Sequence, residues 1–156
     1  MADTSSIEDK IGLLIWKASN FWLSKLRKIL VPYNLSINEY FILYSIKLLS
    51  EKNSNIYQNE ISEFIGIDIS VTSVTLKLLE KKKFISRDIK RDNRKKIINI
   101  LHEGDTIFKI LHPLIEKEEE TLFNKLKNET FNFTNSLKLL LGKKIRIKAD
   151  KIYRLW

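Results

Sequence analysis

The hydrophobic period of this chain leaves helical spacing at one place, Phe84, and that interruption constrains the fold more than any other feature. On either side, apolar residues recur at helical intervals. The runs Phe84-Ile85-Ser86-Arg87-Asp88-Ile89 and Ile97 to Leu101 are instead rich in β-branched and aliphatic residues, and they flank a polar, charged tip from Lys90 to Lys96. Two such runs around a basic loop predict a β-hairpin. A single hairpin in an otherwise helical chain makes the fold mainly α with one small β element. With 156 residues, 44% of them hydrophobic, and only four glycines and two prolines, the expectation is one ordered domain over 1–156 with a sizeable core.

The helices follow from spacing and stop signals. Residues 7–31 predict one long helix, with Ile11, Leu14, Ile15, Ala18, Phe21, Trp22, Leu26 and Leu30 in register. Leu13, Trp16 and Leu23 fall outside that stripe, so a second side is expected to be buried, most economically against another copy of the chain. Pro32 stops this helix, and Ser36 with Glu39 forms a capping box for the next, which runs to about Leu49. After a polar loop, Tyr57 to Ile65 predicts a short helix ended by Gly66 in a left-handed cap, and Ser70 to Lys82 predicts another. Two short helices around a Gly-containing turn are a helix-turn-helix signature, and a hairpin directly after them is a wing. Gly104 then precedes a helix over 105–126, which Pro113 should bend, and Thr134 should cap a last helix over 134–146.

Charge is concentrated on the same segment. Lys77 to Lys96 holds ten lysines and arginines against three acidic residues, a net +7 of the chain's formal +9. Such a local field on a compact element fits a polyanion-binding surface, with DNA first among candidates. Ser70, Thr72, Ser73, Thr75 and Lys77 on the second short helix offer hydrogen-bonding groups to a major groove. Arg94 at the hairpin tip suits a narrow minor groove, and Asp92 is spaced to brace it. Lys90, Arg91, Lys95 and Lys96 suit phosphates, and Arg87 joins the DNA-facing set.

Three separated blocks carry a family resemblance. Phe84-Ile85-Ser86-Arg87, Asp92-Asn93-Arg94 and Ile100-Leu101-His102-Glu103-Gly104 resemble the wing signature of MarR-family (multiple-antibiotic-resistance regulator) winged-helix transcription factors. Ile11 to Trp16 and Asn34-Leu35-Ser36 are similar to that family's first helix and following turn, so the resemblance covers roughly 7–145. It implies a winged helix-turn-helix with N- and C-terminal dimerisation helices (7–31, 105–126 and 134–146) around a DNA-binding part, 37–101. It also implies a homodimeric repressor on a pseudo-palindromic double-stranded operator. Thr72 and Thr75 should lean inward, leaving Ser70, Val71, Ser73, Val74 and Lys77 toward DNA. The chain departs from the family pattern at Lys83, where Gly is usual, and at His102, where a capping Thr is usual. It departs again at Val74, where Arg or Lys is common, which shifts base readout toward thymine methyls.

Trp16, Trp22, Tyr40, Phe41 and Tyr44 are the candidate lining of a pocket for a small aromatic effector, by the same resemblance. The competing reading makes them core and dimer contacts. Glu116 and Glu118 to Glu120 read as a solvated helix face, and His102 and His112 as structural residues. The chain has no cysteine, which excludes disulfides and thiolate chemistry. No phosphate-cradling Gly loop, Ser/His/Asp set or metal motif stands out, so neither enzyme activity nor a cofactor is expected. The acidic start and the lack of a long apolar run predict a cytoplasmic protein with no membrane partner. Two rivals share the basic segment: a nucleoid-type protein binding nucleic acid without sequence preference, and a module docking its wing on an acidic protein.

Overall fold

The computed structural model describes residues 10–89 and 95–144. By backbone proximity the chain divides after Glu116 into two compact units, where the sequence reading has one domain. The first unit opens with α1 (Ile11–Leu30), which buries Leu26 and Leu30 and leaves Ile11, Leu14, Ile15, Trp16 and Phe21 exposed. A 3-10 turn containing Pro32 (Val31–Tyr33) ends it, and Asn34 closes that turn with φ 54°. α2 (Ile37–Ser50) starts with the expected capping box: Glu39 N–H donates to Ser36 Oγ at 3.2 Å, and Ser36 N–H donates to Glu39 Oε2 at 2.8 Å.

Glu39 is nevertheless buried, and its other oxygen is neutralised from a distance in sequence. Lys82 Nζ lies 2.6 Å from Glu39 Oε1 and also donates to Asn34 O at 2.6 Å. One ammonium therefore ties the start of α2 to the exit of the second short helix of the helix-turn-helix. α3 (Gln58–Ile65) ends at Gly66, φ 77°, as the sequence predicts. α4 (Ile69–Lys81) follows, one residue ahead of its expected start, because Asp68 caps it.

The exit from α4 is a Schellman motif. Phe84 N–H donates to Leu79 O at 3.0 Å and Lys83 N–H to Glu80 O at 2.9 Å, and Lys83 takes φ 60°. β1 (Ile85–Ile89) and β2 (Lys96–Ile100) pair antiparallel, with Ile85 opposite Ile100 and Arg87 opposite Ile98. The hairpin is also pinned at its back, where Ile98 N–H donates to Ile56 O at 2.9 Å. Leu30, Ile42, Leu43, Ile46, Ile61, Leu76, Leu79, Ile85, Ile98 and Leu111 form one continuous buried cluster under this hairpin and the four helices before it.

α5 (His102–Phe123) begins straight after β2 and runs through Pro113. Gly104, expected ahead of the helix, lies inside its first turn, since Asp105 N–H already donates to Leu101 O. A Cβ on Gly104 would stand 2.1 Å from the Phe84 carbonyl oxygen, so only glycine lets the helix approach the strand this closely. The division between the units falls within α5.

In the second unit, a 3-10 segment (Asn124–Glu129) precedes α6 (Thr130–Leu140). Thr134 does not cap this helix. Its hydroxyl donates to Thr130 O at 2.8 Å from inside the helix, an i−4 back-bond open to any helical threonine. The helix also stops earlier than 146, because Gly142 takes φ 66° and Lys143 N–H closes onto Lys138 O at 2.8 Å.

Candidate nucleic-acid interface

Asp68 organises the start of α4. Its carboxylate accepts from the Ser70 backbone N–H at 2.7 Å and from the Ser70 hydroxyl. These bonds, the hydroxyl foremost, hold the Asp68 carboxyl below its ordinary range. Thr72 is fully buried and its Oγ1 donates to Asp68 O at 3.0 Å, while Thr75, also buried, donates to Val71 O at 2.8 Å. Both threonines thus lean inward, as the resemblance implies, although Thr72 also stood among the hydrogen-bonding candidates. A hydroxyl signals hydrogen-bonding capacity, but its helical position places this one over the core, with Leu76 and Leu79. Ser70, Val71, Val74 and Lys77 are exposed, and Ser73 is half-buried on the flank of the same helix.

Arg87 Nε donates to Glu80 Oε2 at 3.0 Å, Nη2 bonds the same oxygen, and the arginine side chain is only 11% exposed. Its guanidinium is the main cause of the lowered Glu80 pKa. Arg87 therefore fastens β1 onto α4. Lys95 and Lys96 are exposed, with Lys95 Nζ 5.9 Å from the centre of the Tyr57 ring. Lys90, Arg91, Asp92 and Arg94 lie outside the described residues. A cleft of about 590 Å³ separates the hairpin from the first turn of α3, and Arg87, Lys95 and Lys96 line it opposite Tyr57, Gln58 and Asn59. Tyr57, Gln58 and Asn59 carried no signal in the sequence, since only the fold brings them beside cations almost forty positions away.

The aromatic candidates do not share one role. Tyr40 is buried in the core: its ring meets Phe41 edge-on at 5.4 Å and stacks with Phe108 at 6.0 Å. Trp22, Phe41 and Tyr44 are half-buried against the core, and Trp16 is exposed on α1. The reading along the chain omitted Phe108 and gave His112 no partner. Tyr40 Oη and His112 Nδ1 lie 3.0 Å apart, the His112 ring stacks on Phe108 at 4.9 Å, and His112 Nε2 lies 3.8 Å from Glu116 Oε1. Glu116 is thus not merely part of a solvated acidic run. Among the described residues, no group of three or more His, Cys, Asp or Glu is placed to hold a metal ion. No described helix is long and apolar enough to cross a membrane.

A helix-turn-helix followed by a hairpin, with α5 locked against the hairpin through Gly104, is the arrangement of a winged helix. The sequence profile of the MarR family matches residues 35–97, from the turn before α2 into β2. That part of the chain is similar to the MarR family. Its fold is that of a MarR-family transcriptional regulator from Rhodococcus sp. RHA1, which superposes with a TM-score of 0.75 at 19% identity over 89% of this chain and 97% of that one. It is 29% identical over 133 residues to YdcH of Bacillus subtilis (strain 168), an uncharacterized HTH-type transcriptional regulator, covering 83% of this chain and 88% of that one. The MepR–DNA complex of Staphylococcus aureus superposes with a TM-score of 0.77 at 20% identity, over 86% of this chain and 96% of MepR. CouR of Rhodococcus jostii RHA1, bound to p-coumaroyl-CoA, gives 0.74 at 20% identity, over 90% of this chain and 97% of CouR.

Proposed function

We propose that this protein is a homodimeric, cytoplasmic repressor of the MarR type that binds a pseudo-palindromic double-stranded operator through α4 and the hairpin. The observation that carries the reading is the outward face of α4, where Ser70, Val71, Val74 and Lys77 stand exposed beside the exposed Lys95 and Lys96 of the hairpin. A helix so placed enters a major groove, and the flanking ammonium groups meet phosphates. Lys90, Arg91, Asp92 and Arg94 are assigned to DNA contact from the sequence, with Arg94 as the minor-groove contact. The partner copy is supported by the exposed Ile11, Leu14, Ile15, Trp16 and Phe21 on α1, a wider apolar surface than a monomer usually leaves open. In the second unit, Leu137, Leu139, Leu140 and Leu141 are exposed as well. Two copies then present two recognition helices about one helical turn of DNA apart.

Regulation by a small aromatic effector belongs to the same proposal. CouR, of the same fold, is known with p-coumaroyl-CoA bound. In this chain Trp22, Phe41 and Tyr44 supply half-buried aromatic surface, and Trp16 supplies exposed surface on α1. An effector changes DNA affinity only by its differential affinity for dimers of different recognition-helix spacing.

Competition binding tests the reading. A duplex selected from a random pool by the purified protein is expected to bind at least about 10³-fold more tightly than unselected duplex, with affinity falling steeply as salt rises. A ratio near one would favour a nucleoid-type protein. No binding at low salt would favour docking on an acidic protein.

A further inference from the structure

The recognition helix looks rich in hydrogen-bonding groups, yet the structure shows that most of them are already engaged. Of its four hydroxyl residues, Ser70 donates to the Asp68 carboxylate, Thr72 to Asp68 O and Thr75 to Val71 O, the last two from buried positions. Ser73 is half-buried on the flank. What faces outward is an apolar stripe at i, i+3 and i+7: Val71 is 40% exposed, Val74 58% and Leu78 46%. Lys77 and Lys81, both exposed, border it on the same helix. Asp68 also places a carboxylate at the helix N-terminus, where a phosphate would otherwise be favoured.

A stripe of valines between lysines fits a surface with an anionic rim and an apolar floor. In a B-DNA major groove, the apolar feature of the base edges is the thymine 5-methyl group. We propose that Val71 and Val74 are the specificity-determining residues, and that they read thymine methyls rather than hydrogen-bonding edges. The lysines hold the flanking phosphates and supply affinity without sequence information. The half-site is then defined by where thymines stand. It tolerates changes that preserve a methyl in the groove better than changes that preserve a donor or acceptor. This inference rests on α4 entering a major groove, and the following experiment separates the two.

The probe is the duplex selected by the purified full-length protein, compared with the same duplex in which deoxyuridine replaces thymidine one position at a time. Deoxyuridine keeps every hydrogen-bonding group and removes one methyl. At the thymines under α4, each replacement is expected to weaken binding by wild-type protein about 4-fold, the value of one buried methyl. With Val74→Ala, an exposed position whose change leaves the fold intact, wild-type-like thymidine binding should drop, and the deoxyuridine effect at the paired position should shrink toward one-fold. Val71→Ala should do the same at a different thymine. Equal binding of thymidine and deoxyuridine duplexes, with selectivity over random DNA retained, would overturn methyl readout while leaving the regulator reading intact. A deoxyuridine effect that persists undiminished in both alanine variants would also overturn it. Failure to bind any duplex would remove the regulator reading itself, and the inference with it.

Discussion

Arg87 on β1 and Glu80 on α4 form an ion pair that fastens the wing to the recognition helix, with two guanidinium nitrogens on a single carboxylate oxygen. The pairing is directional as well as charged, since a guanidinium fork fixes the angle between the two elements in a way that an ammonium does not.

This pair separates two effects of opposite sign. Glu80→Gln removes a negative charge close to the proposed DNA-facing surface, which on long-range electrostatics alone would raise DNA affinity. If the pair instead sets the angle of the wing, affinity falls because the wing and α4 no longer reach adjacent grooves together. The expected outcome is a fall, by several-fold, with Arg87→Lys behaving like Glu80→Gln. Anisotropy titrations at matched salt decide it, and higher affinity in Glu80→Gln would show that the geometry is dispensable.

Gly104 marks a closer approach than any side chain allows. A Cβ there would lie 2.1 Å from the Phe84 carbonyl oxygen, the same oxygen that accepts from Leu101 N–H at 2.9 Å. The obstacle is backbone, so relief requires moving the strand or the helix. Gly104→Ala is expected to cost about 3 kcal/mol, read from urea denaturation. An unchanged midpoint would mean that the first turn of α5 can shift freely.

How much of this was legible depends on the range of each interaction. The Ser36–Glu39 capping box and the Gly66 cap involve residues three or four apart, so the local string contains the whole signal. The hairpin was legible because its two strands break the helical period. The Asp68 cap moved the start of α4 by a single residue, whereas Thr134 misled, because a threonine hydroxyl back-bonds inside a helix as readily as it caps one. The Arg87–Glu80 pairing was not legible for another reason: composition reports what a side chain can do, while only packing decides which neighbour uses it. The contact between Ile98 N–H and Ile56 O joins positions forty-two apart in the sequence and has no local trace.

Lys83 carries a strain that the sequence did announce. It occupies the left-handed position of the Schellman motif with φ 60°, where a Cβ is penalised and glycine is not. Lys83→Gly should therefore stabilise the protein by about 1 kcal/mol, raising Tm by about 2–4 °C. Lys83→Ala keeps the Cβ and removes the same charge, so it should show no such gain. A rise of equal size in both variants would trace the effect to charge rather than to backbone conformation.

Asp105 links two helices through its two oxygens: Lys109 Nζ lies 2.6 Å from Oδ2, and Lys47 Nζ, from α2, lies 2.6 Å from Oδ1. The hydrogen bond from Lys109, then that from Lys47, lowers the Asp105 pKa from 3.8 to about 2. A carboxyl with a depressed folded-state pKa stabilises the fold fully above its unfolded value, and that contribution is lost as pH falls through the folded one. The contribution should thus be complete at neutral pH and disappear between about pH 4 and pH 2. Other carboxylates titrate in the same window, so the informative quantity is the difference between wild type and Asp105→Asn. Wild type should melt higher at pH 7, and the gap should close as the pH approaches 2. A gap that stays constant across this range would mean that the asparagine perturbs packing in the first turns of α5, and that the two lysines contribute little through charge.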